Sequence, residues 1–371
     1  MRFKPFELER YFAKYEFSAK YLLSSSDCDG LLQSDVLDLA DAQSRELWDN
    51  LTLGYTESGG HPLLKDEIAK MYQGITPDDV LTVVPEEGIY LALNCILKSG
   101  DHVICTFPGY QSLYEIAEGI GCEVTKWELN EARGWALDLD FLKSQIKSNT
   151  KLLVVNFPHN PTGYTPTLLE FQEIMDIARE HNIFVLSDEM YRYMEFDAAD
   201  RLPSASEVYE NAVSLFGVSK ALGLAGLRVG WVTTKNKELL SRMVTYKDFT
   251  TICGSAPSEI LALIALRNSE LIVSRNLDTI KTNLGLLDTF FEGQDLFSWI
   301  KPRAGSIAFP RINGNRSSLA FCETLVAETG IMLLPSTVYG FGDNHFRLGF
   351  GRKNMPEVLD KFSEYLSSAK V

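Results

Sequence analysis

The chain has 371 residues, 45% of them hydrophobic, and carries a formal net charge of −15. That is enough apolar content for a large core and, by length, for about two domains. The acidic balance argues against nucleic acid or an anionic membrane surface as a partner, because chains that bind phosphate backbones present basic patches; a small molecule fits better.

Residues 1–44 read as helical and rich in aromatic side chains, with Phe3, Phe6, Tyr11, Phe12, Tyr15 and Phe17. Charges interrupt the apolar residues from Met1 to Arg10, so no signal-peptide core is expected. No later run reaches membrane-spanning length, and cytoplasmic residence is the expectation. The aromatic stretch is read as a helix packed on a small domain, with closure over a cleft as the alternative.

Val80 to Val84 and His102 to Thr106 are strand candidates. The clearest unit begins with the buried-strand pattern Lys151-Leu152-Leu153-Val154-Val155-Asn156-Phe157 and continues through the breaker-rich turn Pro158-His159-Asn160-Pro161-Thr162-Gly163. Leu168, Phe171, Ile174 and Ile177 recur at i+3 steps and predict a helix with those four on one face, closed by His181-Asn182 before a strand at Ile183 to Leu186. Val213 to Phe216 is a further strand. The centre of the chain therefore reads as a largely parallel α/β sheet, and the region from about 265 onward as long helices with a few short strands. Six cysteines (Cys28, Cys95, Cys105, Cys122, Cys253 and Cys322) show no CxxC pair and no interleaved histidines, so they read mostly as reduced core residues and no metal site is expected.

In open parallel sheets, ligands bind beyond the carboxyl ends of the strands. Asn160 follows one predicted strand, Asp188 the next and Lys220 a third. Each has an ordinary explanation alone, since Asn-Pro opens turns and Ser187-Asp188 can cap a helix. Together they point to a binding site. His159 beside Asn160 reads as a surface turn residue, with a supporting role in the site as the alternative. No G-x-G-x-x-G follows a strand and Gly217-Val218-Ser219-Lys220 lacks P-loop spacing, so neither a nicotinamide dehydrogenase nor a P-loop nucleotide site is supported.

Asn156-Phe157-Pro158-His159-Asn160-Pro161-Thr162-Gly163, Ser187-Asp188-Glu189-Met190-Tyr191, and Ser219-Lys220 with Arg228 resemble the ordered signature of fold-type I pyridoxal-phosphate enzymes, the class I/II aminotransferases. The similarity extends to Leu53-Gly54-Tyr55-Thr56, Phe107-Pro108-Gly109-Tyr110 and His345-Phe346-Arg347-Leu348-Gly349-Phe350, and so spans nearly the whole chain. The resemblance implies a large domain (45–264) with a mostly parallel central sheet flanked by helices, and a smaller α+β domain built from both chain ends (1–44 and 265–371).

It also implies pyridoxal 5'-phosphate as cofactor, held as a Schiff base on Lys220, whose amine is released by the substrate to act as a base at Cα. A lysine at its ordinary pKa of ~10.4 would be a poor base, so burial must lower it. By the same resemblance Asp188 pairs with the pyridine nitrogen, Asn160 and Tyr191 meet the phenolic oxygen, and Tyr110 stacks on the ring. Arg228, Ser219 and the main chain at Glu86 and Glu87 meet the phosphate, joined by Tyr55 of a neighbouring subunit in a homodimer with shared sites. Arg347 is the clamp for the substrate α-carboxylate, and no second arginine for a dicarboxylate side chain can be assigned.

The chain departs from the family pattern in three places. Val83-Val84-Pro85-Glu86-Glu87-Gly88 puts carboxylates where small residues usually cradle the phosphate, and they would repel it unless turned outward or engaged elsewhere. Gly217 stands where many relatives have a second serine, and the loop Leu23 to Gly30 lacks the usual Gly-x-Pro element. The leading functional reading is an aminotransferase acting on an amino acid and a 2-oxo acid. The alternatives are a lyase, cyclase or synthase on the same fold and, more remotely, a non-catalytic sensor of the kind found in regulators with an added basic DNA-binding domain, a segment this sequence lacks.

Overall fold

The computed structural model describes residues 3–368. Its centre is a seven-stranded sheet. In chain order the strands are β1 (Val80–Val83), β2 (His102–Phe107), β3 (Glu123–Glu128), β4 (Thr150–Asn156), β5 (Phe184–Asp188), β6 (Ala212–Gly217) and β7 (Gly230–Thr233). Their spatial order is β1-β7-β6-β5-β4-β2-β3. All pairs from β3 through β6 are parallel, and only β7 runs antiparallel to its neighbours β6 and β1. Strands β2 and β6 are buried along their whole length, as expected when helices cover both faces of a parallel sheet.

Every strand expected from the sequence is present within a residue or two, and two more are added. The polar edge strand β3 buries only Trp127, and the four-residue β7 begins at a glycine, so neither shows the apolar run of an interior strand. The predicted helix spans Leu168–Glu180 and is started by a capping box in which Thr167 and Glu170 satisfy each other's backbone N–H groups. Phe171, Ile174 and Ile177 are buried against the sheet. Leu168 departs from the expectation. As the first helical residue it is 50% exposed, because the inward face begins one turn later.

The two ends of the chain meet. Tyr21 N–H donates to Gly330 O, Met332 N–H to Tyr21 O, both at 2.9 Å, and Gly349 N–H donates to Leu23 O at 2.7 Å. The strand Phe346–Gly349 is the centre of a small three-stranded sheet. A Cβ on Gly349 would lie 1.7 Å from the Ser25 carbonyl oxygen, so only glycine lets the loop after Leu23 lie against this strand.

A second close approach explains one departure in the sequence. Gly217 at the end of β6 pairs with Gly230 at the start of β7. A Cβ on Gly217 would stand 2.9 Å from Val229 O, and one on Gly230 only 2.8 Å from the Pro85 ring. Pro85 thus fills a corner that both glycines leave open. Gly217→Ser is expected to destabilise the protein by about 1–3 kcal/mol through overpacking against backbone that cannot yield, read as a lower denaturant midpoint at unchanged m-value. Among the described residues, no helix is long and apolar enough to cross a membrane.

Candidate functional site

A cavity of about 410 Å³ opens beyond the carboxyl ends of β4, β5 and β6, closed on its other side by α1 (Glu7–Tyr15) and the loop that follows Leu23. Asn160, Asp188, Tyr191, Ser219, Lys220 and Arg228 line it, together with Tyr110, Glu86 and Arg347. Of the residues singled out in the sequence, Glu87 and Tyr55 are not part of this lining.

The β4–β5 pairing sets two of the positions. Asn156 and Asp188 are register partners. The Asn156 amide donates to Asp188 O at 2.9 Å while its oxygen accepts from Asn160 N–H at 2.7 Å, so one side chain ties the strand end to the turn. The Asp188 carboxylate accepts from Met190 N–H at 3.1 Å. Burial pushes this carboxyl up to about 6, an effect the Met190 N–H and Lys220 only partly offset. Lys220 Nζ donates to Ser26 Oγ at 2.8 Å, and burial holds its amine below the usual lysine range. A buried amine of lowered pKa is what a base near neutral pH requires.

Arg347 is 2% exposed. Its terminal nitrogens donate to Tyr339 OH and Ser24 O, each at 2.9 Å, and to Asn160 Oδ1 at 3.3 Å. Its Nε–H has no partner, nor have the Tyr191 hydroxyl and the Ser219 hydroxyl, all buried. Arg228 is exposed at the cavity edge in a left-handed backbone conformation (φ 56°), with one guanidinium N–H on Ala225 O at 3.2 Å.

The two carboxylates at the start of the helix Pro85–Ile96 go separate ways. Glu87 turns away, accepting from Val84 N–H and from Thr251, with Thr250 as a further partner. Glu86 does not turn outward; it lines the cavity near Tyr110 and Ser112, and burial pushes its carboxyl up to about 7. Proline has no N–H to offer at the first helical position, which leaves those of Glu86 and Glu87 at the helix start. A Glu86 carboxyl that holds its proton does not repel an anion there.

A raised carboxyl stabilises the fold below its ordinary pKa and loses that contribution as pH rises through the folded value. Glu86→Gln is therefore expected to leave cofactor-free protein unchanged near pH 4. At pH 8 it should stabilise the protein by up to about 3 kcal/mol, from ~1.36 kcal/mol per pKa unit, measured as the difference between denaturation midpoints at the two pH values.

Several expectations need correction or addition. His159 is not a surface residue: it is buried, bonded through Nδ1 to Thr162 Oγ1 at 2.8 Å, and desolvation pushes its ring down to about 3, so it is a neutral support beneath the turn. The N-terminal aromatic helix does more than pack on the C-terminal part. Lys14 and Tyr15 anchor it to Glu323, but Leu8, Glu9 and Phe12 line the cavity, and Phe6 meets the Tyr110 ring at 5.0 Å. Tyr339 and Arg352 carried no sequence signal, and Ser26 and Asp27 were marked only as part of the divergent loop Leu23 to Gly30; long-range folding brings Ser26 to Lys220 (2.8 Å), Tyr339 to Asn160 (3.3 Å) and Asp27 to Arg352 (2.9 Å). Tyr55 stands 91% exposed, away from the cavity of its own chain. The six cysteines are free, four of them buried.

The donor set fits pyridoxal phosphate. Unpartnered hydroxyls at Tyr191 and Ser219, two N–H groups at a helix start, an arginine at the edge, a buried carboxylate and a buried amine answer a phenolic oxygen, a phosphate, a ring nitrogen and an aldehyde. Residues 18–362 match the family model for aminotransferase class I and II. The chain is 30% identical over 367 residues to capreomycidine synthase of Streptomyces vinaceus, covering 97% of this chain and 93% of that one. Among solved structures it is similar to a PLP-dependent aminotransferase from Streptococcus suis (30% identity, TM-score 0.93, 99% and 98% of the two chains). It is also similar to the PLP-dependent cyclase OrfR (26% identity, TM-score 0.90, 99% and 98%). With the family model spanning nearly the whole chain and the cavity built as its cofactor requires, the chain belongs to the class I and II aminotransferases, the pyridoxal-phosphate-dependent enzymes of fold type I.

Proposed function

We propose that the protein moves an amino group from an amino acid to a 2-oxo acid at this cavity. The observation that carries the reading is the convergence of half-buried Lys220 with buried Asp188 and Arg347, three charged groups from distant parts of the chain, around polar atoms left unpartnered. When bound, the cofactor supplies an aldehyde that exchanges nitrogen with amino acids and a ring that accepts the electrons left at Cα. Lys220 is the residue that would hold the aldehyde carbon and, once its amine is free, take the Cα proton and return it on the other side of the transfer. Asp188 would keep the ring nitrogen protonated, and Asn160 and Tyr191 would bind the phenolic oxygen. Tyr110 would cover the ring face, while Ser219, Arg228 and the Glu86 and Glu87 N–H groups would bind the phosphate. Arg347 would orient the α-carboxylate, its remaining Nε–H being free for that bond.

The homodimer is part of the same proposal, with Tyr55 reaching the phosphate of the neighbouring subunit. It is supported by the exposure of Tyr55, Leu53 and Phe249, large apolar groups that water does not favour. The division into 45–264 and 1–44 with 265–371, and cytoplasmic residence, are likewise our proposals. A second reading, a cyclase, synthase or eliminating lyase, is favoured by the names of two of the relatives. Incubating holoenzyme with single amino acids separates the two. Conversion to the amine form of the cofactor with release of a 2-oxo acid is expected; ammonia or a cyclised product without that conversion overturns transamination in favour of the second reading.

A further inference from the structure

The charges facing the cavity do not balance. If Arg347, Arg228 and Lys220 serve the α-carboxylate, the phosphate and the aldehyde, the fourth cation is Arg352, and it is already engaged with Asp27 at 2.9 Å. Asp188 and Glu86 are spoken for by the ring nitrogen and by desolvation. Glu9 and Glu16 remain, both lining the cavity and neither in an ion pair among the described residues; Glu9 accepts only from Tyr110 OH, at 3.3 Å.

Their placement is ordered. Glu9 lies on α1 and Glu16 caps its end, seven residues or two turns on, so both look from one face, about 10 Å apart along the axis at ~1.5 Å per residue. Leu8 and Phe12 share that face and also line the cavity. The Phe12 ring lies 5.8 Å from the Arg347 guanidinium. From the α-carboxylate clamp the wall therefore runs over an apolar surface to two carboxylates. A ligand is independently indicated by the unpartnered Tyr191 hydroxyl and Arg347 Nε–H, on residues 2% exposed in the same cavity.

We propose that the amino-acid substrate carries a second cation, an ammonium or guanidinium ending an aliphatic side chain, which packs along Phe12 and Leu8 and is held by Glu9 and Glu16. This rests on the functional reading above, in which Arg347 binds the α-carboxylate, and names the substrate class for it. A dicarboxylate would instead need Arg352 released from Asp27 and would face two further anions.

The test measures calorimetric binding to holoenzyme, beside turnover, for L-arginine against its uncharged near-isostere L-citrulline, L-lysine against L-norleucine, and L-glutamate. Arginine and lysine are expected to bind at least about tenfold more tightly than their neutral counterparts, the size of effect given by one partly desolvated ion pair. In the double variant Glu9→Gln/Glu16→Gln the arginine-to-citrulline ratio should collapse toward one. That ratio is taken within one protein sample, so loss of folded material cancels. Equal binding of arginine and citrulline, an unchanged ratio in the variant, or a preference for glutamate overturns the proposal. Preferential arginine binding without conversion of any amino acid upholds the subsite and defeats the transfer reading; conversion of neutral amino acids with no cationic preference does the reverse.

Discussion

Lys220→Ala is expected to lower kcat by at least about 10⁴, because in the proposed function one side chain would both hold the cofactor and move the Cα proton, and loss of a positioned acid–base group alone removes about 10²–10⁴. Its surroundings suit the second task. Burial lowers the amine most, and Arg347 and Arg228 lower it further, against the opposing pull of Asp27 and Asp188. Borohydride treatment followed by peptide mapping should find the cofactor attached to Lys220 in the native protein and unattached in the variant. Retention of a reducible link in Lys220→Ala would assign the chemistry to another lysine. Lys220→Arg separates the two tasks from packing, since it keeps bulk and charge near Ser26 yet offers no amine of suitable pKa, and it should be as inactive as alanine.

Asp188→Asn is expected to reduce kcat by about 10²–10³, the usual cost of removing one preorganised electrostatic partner from a dry site. The substitution keeps the shape and an oxygen for Met190 N–H, so the fold is not at stake. What is lost is the negative charge that, in the proposed function, would hold a proton on the ring nitrogen. The same change should stabilise the cofactor-free protein. The folded carboxyl lies near 6 against an ordinary 3.8, so its burial penalises the fold increasingly as pH rises through 6. Opposite signs for activity and for cofactor-free stability at pH 8 would identify Asp188 as a group held at a cost for function. A variant that loses both would mark it as merely structural.

Much of the sheet was legible in the chain. β2, β4, β5 and β6 each carry a mostly apolar, buried stretch because both faces are covered, and breakers or polar residues follow them. The catalytic candidates were legible for a related reason: a parallel sheet delivers the residue after each strand to the same edge, so Asn160, Asp188 and Lys220 could be grouped from sequence order alone. β3 escaped because an edge strand need not be apolar, and β7 because four residues beginning with glycine carry too little pattern.

The sequence by itself thus determined the sheet, the order of its loops and the residue types set at their ends, all of which depend on local periodicity. Tertiary structure alone decided what faces those residues from the other side. Ser26 meets Lys220 and Tyr339 meets Asn160 across 194 and 179 residues of chain, and the Glu9–Phe12–Glu16 wall comes from the N-terminal segment. No local pattern encodes such pairings, because they arise only when the two chain ends close over the sheet. Tertiary structure likewise separated Glu86 from Glu87, neighbours of one chemical type, sending one carboxylate into the cavity and the other to Thr251. Consecutive residues at a helix start point about 100° apart, and packing determines which of the two directions is the buried one.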